Sequence, residues 1–246
     1  NLYLHGVDES GYKALSLAVT KEIPHLPMAD SKLLLRHLIN CGISLDARNV
    51  AVETELLSLY KLAIEFDILM DRNRLTDSSF INIVNLAGRC KEYAWAWEFI
   101  RQFAPFLEED KRQPSVDLAT GSLHYAEGRL DEAQECLRFN IFQIPSLEII
   151  GRTMLLKILA DRYLLFDQDY EFLCSQIKAF ERYLQLKQLR EEKKAAYLNW
   201  ARFLRQLVVT KFELVQVPSS RKASLGKKLE QLQPIISKKW LEDRLD

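Results

Sequence analysis

Apolar residues recur along most of this chain at intervals of three and four, the period of a helix with one buried face. Residues 11–22 show it briefly before Pro24 and Pro27 stop the pattern. Leu34, Leu35, Leu38 and Ile39 mark a second face, in a helix capped by Asp30 or Ser31 and ended by Cys41-Gly42. From Asp46 a longer helix is expected, with Val50, Val52, Leu56, Leu57, Leu59, Tyr60, Ala63 and Ile64 on a broad apolar face, ending near Met70. The pattern then predicts helices over 78–88, capped by Thr76, Asp77 or Ser78, and over 93–104, stopped by Pro105. The polar run 108–114 reads as a loop. Helices over 115–126, 130–142, 147–165, 169–187 and 191–213 follow, then a linker at 217–220 and a final pair over 221–244, broken at Pro234. No strand-type alternation persists between them. The loops are short, so consecutive helices should pack as antiparallel neighbours. The expectation is an all-α chain of at least nine helices.

One stretch says how those helices pair. Residues 115–145 read SVDLATGSLHYAEGRLDEAQECLRFNIFQIP. Gly121 and Ala133 are small, as two helices crossing closely require. Gly128 permits a tight turn that a side chain would obstruct. Asp131 and Glu132 put acids at the positive end of the second helix, and Pro145 ends the unit. Weaker copies flank it. Lys91-Glu92-Tyr93-Ala94-Trp95-Ala96 sets Ala96 against Ala133, and Asp169-Tyr170-Glu171-Phe172-Leu173 sets Leu173 there, at intervals of 37 and 40 residues.

With Ala133 at the motif's twentieth place, this stretch resembles a tetratricopeptide (TPR) repeat. Gly121, Gly128, Leu137 and Pro145 then fall at the eighth, fifteenth, twenty-fourth and thirty-second places. Asp117, His124 and Asn140 depart from the pattern's usual Trp, Tyr and Ala. The order of LLSLYKLAIEFDILM, FINIVNLAGRCKEYAWAWEFI, AAYLNWARFLRQL and ISKKWLEDRL resembles the C-terminal part of a group of uncharacterised bacterial proteins with longer, divergent TPR-like arrays. The resemblance implies a right-handed α-α superhelix, a solenoid of antiparallel hairpins. It implies an N-terminal helical segment over 1–45, repeats over 46–216 and capping helices over 217–246.

It also implies a function. The inner wall of such an array is built from the first helix of each hairpin and takes up a peptide or helix of another protein. By register, the wall candidates are Ser78, Ile81, Asn85 and Arg89 from one hairpin, Leu118, Ser122 and Tyr125 from the next, and Arg162 from a third. Asn85, Arg89 and Arg162 would clamp a backbone or carboxylate, and Tyr125 would offer a flat contact. The expectation is therefore a protein-binding scaffold, not an enzyme, without cofactor or metal. The alternatives are an RNA-binding helical array, or a structural end of a longer array whose binding surface lies upstream.

Composition supports a globular helical chain. Of 246 residues, 48% are hydrophobic and 28% charged, and only 8 are Gly and 7 Pro, too few turn formers for an all-β protein. Net charge is zero, so no global field draws nucleic acid. The charge is uneven, however: residues 187–246 carry 14 Lys/Arg against 7 Asp/Glu. No run of apolar residues is long enough to span a membrane. Cys41, Cys90, Cys136 and Cys174 lie 49, 46 and 38 residues apart, unlike a zinc knuckle or disulfide framework, and read as reduced core residues of a cytoplasmic protein. His5, His25, His37 and His124 have no Cys, Asp or Glu at ligand spacing, and no phosphate-binding or nucleophile motif occurs. Trp95, Trp97, Phe99, Phe103 and Phe106 read as core, and Arg221-Lys222 with Lys227-Lys228 as a small basic patch.

Overall fold

The computed structural model describes residues 8–48, 50–70, 73–137, 144–211 and 218–245, with Pro145, Ser146 and residues 218–221 described by backbone alone. Every regular element among them is helical, and there are twelve α-helices. They are α1 (Glu9–Glu22), α2 (Met28–Asp46), α3 (Glu53–Glu65), α4 (Asp77–Arg89), α5 (Tyr93–Phe103), α6 (Glu109–Ala126) and α7 (Leu130–Cys136). Then come α8 (Pro145–Phe166), α9 (Tyr170–Leu186), α10 (Glu191–Val209), α11 (Pro218–Gln231) and α12 (Lys238–Glu242). The expected linker residue 217 and helical residues 138–142 and 212–213 lie outside the described residues. The chain forms two compact units, Asn1–Gly151 and Arg152–Asp246, so residues 1–45 share a unit with 46–151.

In the first unit α1 is capped by Asp8, whose carboxylate accepts from the Gly11 amide at 2.8 Å. It buries Tyr12, Ser16 and Val19, one narrow stripe, against α2 and α3. The Tyr12 hydroxyl donates to the Leu38 carbonyl at 3.2 Å, and a Cβ on Gly42 would overlap that phenol. This corrects the reading of Cys41-Gly42 as a helix stop. Gly42 lies inside α2 because the phenol needs the space, and Asp46 closes α2 instead of opening the next helix.

Helix α4 starts at Thr76, whose hydroxyl accepts from the Ser79 amide at 3.1 Å. It buries Phe80, Ile81, Ile83, Val84, Leu86 and Ala87, packing on α5 and lying along α6. Helix α6 carries small residues at Ser115, Ala119, Ser122 and Ala126, spaced four, three and four, and the last of them meets α4. A Cβ on Gly88 would stand only 3.0 Å from that of Ala126. The expected loop at 108–114 is wrong: α6 begins at Glu109 and carries Pro114 inside it. Acids at Glu109 and Asp110 favour the helix N-terminus, and Arg112 donates to the Pro105 and Leu107 carbonyls at 3.2 and 3.3 Å, tying down the preceding turn.

Three helices of this unit end alike. After α4, Lys91 (φ 60°) donates to the Gly88 carbonyl at 3.1 Å and Glu92 to that of Ala87 at 2.9 Å. After α6, Gly128 (φ 80°) donates to Tyr125 at 3.0 Å and Arg129 to His124 at 2.9 Å. After α3, Asp67 (φ 52°) donates to Ile64 at 3.0 Å and Ile68 to Ala63 at 2.7 Å. Each is a left-handed residue closing the helix with paired backward bonds. The first two turns stand 37 residues apart, the interval read from the sequence.

In the second unit α9 and α10 form a hairpin over Leu173, Ile177, Phe180, Leu184, Trp200, Phe203, Leu204 and Leu207. Trp200 is fully buried, edge-on to Phe180 and 5.8 Å from the Trp240 ring. The C-terminal segment is pinned there by three polar links. Arg244 makes a two-pronged pair with Asp161 at 2.6 Å on both prongs, Lys157 donates to the Ser237 hydroxyl at 2.8 Å, and Asn199 donates to the Pro234 carbonyl at 2.9 Å.

Candidate functional site

The wall residues expected on α4 divide by helical position. Ser78, Asn85 and Arg89 fall on one side, and Asn82 completes the series at spacings of four, three and four. Ser78, Asn82 and Arg89 are exposed and Asn85 is half-buried. Asn82 was missed, although its spacing to Ser78, Asn85 and Arg89 was readable. Ile81 does not belong to this wall. Its side chain is fully buried, because the α4 face that carries it packs into the core.

On α6 the expected wall is corrected too. Leu118 is fully buried and Ser122 nearly so, since α6 is packed between α4 and α7. Tyr125 is half-buried. The polar series of α6 is instead Gln113, Asp117, Thr120, His124 and Glu127, one residue per turn. Gln113 donates to Asp117 at 2.7 Å. Burial raises the Asp117 carboxyl above its ordinary value, against the hydrogen bond from Gln113.

At the far end of that series four side chains meet. The Trp97 indole donates to Glu127 at 3.1 Å, and the Trp97 and His124 rings lie 5.0 Å apart. Arg129 pairs with Glu127 and stands 5.8 Å over Trp97. Burial, helped by the Arg129 cation, lowers the His124 pKa, and its Nδ1 has no hydrogen-bond partner. The imidazole packs against the indole, and the cluster ties α5 to the α6 terminus.

The two expected guanidinium clamps are engaged. Arg89 grips Asp46 with both prongs, at 2.9 and 2.7 Å, joining the ends of α4 and α2. Arg162 belongs to the second unit and bonds Asp169 at 2.9 Å and Gln168 at 3.1 Å. Substituting the pair would therefore perturb each unit locally. A cleft of about 330 Å³ opens where residues 73–74 meet the start of α6, lined by Arg74, Phe106, Glu108 and Arg112 among others. Arg74 lies 3.9 Å from Glu108, and Arg112 is bonded to the Pro105 and Leu107 carbonyls.

Among the described residues no group of three or more His, Cys, Asp or Glu is placed to hold a metal ion, and no helix is long and apolar enough to cross a membrane. The four cysteines are unpaired, and burial raises the thiols of Cys41, Cys90 and Cys136, holding them in the protonated, weakly nucleophilic form. No protein-family model matches the chain, and neither a curated protein nor a solved structure matches it.

Proposed function

We propose that the chain is an interaction module of stacked helical hairpins that binds a segment of another protein. The observation that carries this reading is the pair of hairpins α4–α5 and α6–α7. They end their first helices with the same hydrogen bonds 37 residues apart and set those first helices side by side. Repetition of this kind builds a continuous surface whose outward residues are free to vary. Here the outward series is Ser78, Asn82, Asn85 and Arg89, polar and neutral but for an arginine already paired with Asp46. Neutral amides suit the backbone of an extended or helical segment, because Asn offers both a donor pair and an acceptor. A superhelical array of TPR-like hairpins in a non-enzymatic scaffold is the form of this proposal.

The test places a photo-crosslinking amino acid at Asn82, and in a second protein at Lys21, an exposed residue of α1 remote in sequence. The reading expects one discrete crosslinked protein from Asn82 in cells, absent from Lys21 and lost when Asn85 becomes Glu. The same crosslinks from both positions would overturn it.

A further inference from the structure

We infer that the outer face of α9 seats an acidic amphipathic helix of a partner; this rests on the interaction-module reading. Helix α9 has two apolar faces. One is core, with Leu173, Ile177, Phe180 and Leu184 almost wholly buried. The other runs Phe172, Gln176, Ala179, Tyr183 and Leu186, apolar but for Gln176, at spacings of four, three, four and three. That average of 3.5 residues keeps a seam facing one neighbouring helix along its length.

Phe172, Ala179 and Leu186 of this seam are exposed, and Gln176 and Tyr183 are half-buried. Phe172 is 46% exposed, and Leu186, at 80%, is the most exposed large hydrophobic side chain among the described residues. Small Ala179 at its centre lets another backbone approach. Seventeen residues give a length of about 25 Å, enough for a partner helix of about five turns.

Charge selects the partner. Lys178 and Arg182 stand beside the seam, exposed, and neither has a hydrogen-bond or ion-pair partner among the described residues. On the other flank Arg152 and Lys187 lie over the Tyr183 ring, 4.7 and 5.2 Å from its centre. Of the acids on this helix, Glu181 is turned to Arg205 at 3.4 Å, leaving Glu171. The whole second unit holds 19 Lys/Arg against 12 Asp/Glu, where the first holds 15 against 22. Cations flanking an apolar seam match a helix with acids flanking its own. A second copy of α9 would bring like charges together. Single-stranded RNA would need successive aromatic platforms, and here Tyr183 already lies under two cations. A bilayer would need a broad apolar face, and this one is a single line.

The probes are two labelled helical peptides of about 20 residues, each with Leu at the seam spacing, one flanked by Glu and its twin by Lys. Binding to the full chain is read by fluorescence anisotropy. The Glu peptide should bind at least roughly tenfold tighter than the Lys peptide. K178E/R182E should remove most of that preference, since only Arg152 and Lys187 then flank the seam, and L186D should abolish binding with an unchanged helical melting curve. Equal binding of both peptides, no binding of either, capture only by phosphatidylserine vesicles or only by oligo(U), or self-association through this face would each overturn the inference. Its failure leaves the Asn82 crosslink test standing, so the two readings fall separately.

Discussion

Gly121 of α6 lies against Ala133 of α7 with no space for a side chain between them. A Cβ at position 121 would stand 3.2 Å from the Ala133 carbonyl oxygen, 3.1 Å from Cys136 Cβ and 3.3 Å from Leu137 Cδ2. The close crossing of these helices depends on that absence.

Leu at either Gly121 or Ala133 should therefore lower stability by about 1–3 kcal/mol through overpacking. Gly226, inside α11, has nothing within 4 Å of its would-be Cβ. G226A should accordingly raise stability by up to about 1 kcal/mol, the difference in helix propensity. Urea unfolding of the three variants checks both; a neutral G121L would mean the hairpin crossing is looser than described.

The repeated turn makes a second pair of opposite predictions. Lys91 holds φ 60° and Gly128 φ 80° in equivalent places. K91G should stabilise by up to about 1 kcal/mol by removing left-handed strain, and G128A should destabilise by about 1 kcal/mol by introducing it. Thermal melting of each, beside a double variant whose effects cancel, reads the result.

In the second unit, Arg244 and Asp161 keep only 21% and 11% of their side chains exposed. R244M should leave a mostly buried carboxylate without its guanidinium and cost about 2–4 kcal/mol, the lower part of the range for a broken buried pair because some water remains. Adding D161L, which removes the carboxylate together with the guanidinium, should recover part of that loss. A double variant as unstable as R244M alone would show that the carboxylate is satisfied elsewhere.

Stability should respond to pH at His124. Burial depresses its pKa, so the folded chain prefers the neutral ring. That contribution is present above the unfolded value of 6.5 and is lost as pH falls through the lower folded pKa. H124F should flatten this part of the profile of urea midpoint against pH. Asp117 works the other way. Its raised pKa means the fold penalises the ionised form, so D117N should stabilise at neutral pH and give no gain once the carboxyl is protonated.

Much of the α6–α7 hairpin is legible in the sequence. Gly121, Gly128 and Ala133 announce a close crossing and a left-handed turn because these depend on a few neighbouring residues and on sizes that only small side chains meet. Helix existence was legible likewise from the apolar period. Gly42 was misread because glycine ends helices for local reasons, whereas here a phenol from another helix occupies its missing side chain. Pro114 was misread because proline is a breaker locally, whereas an arginine tie and acid-favoured helix start hold the segment helical here.

What the sequence determined by itself is the helical class, most helix centres, the 37-residue interval and the hairpin register, all set by periodicity and local sterics. Tertiary structure alone decided which face of each helix meets solvent. Ile81, Leu118 and Ser122 went inside because α4 turns one face into the core and α6 lies along it, and Arg89 was taken by Asp46, 43 residues away. Leu186 stayed outside because the α9–α10 hairpin fills its core with the other apolar face. A helix with two apolar stripes does not say which will be buried; that depends on the shape of the surface it packs against.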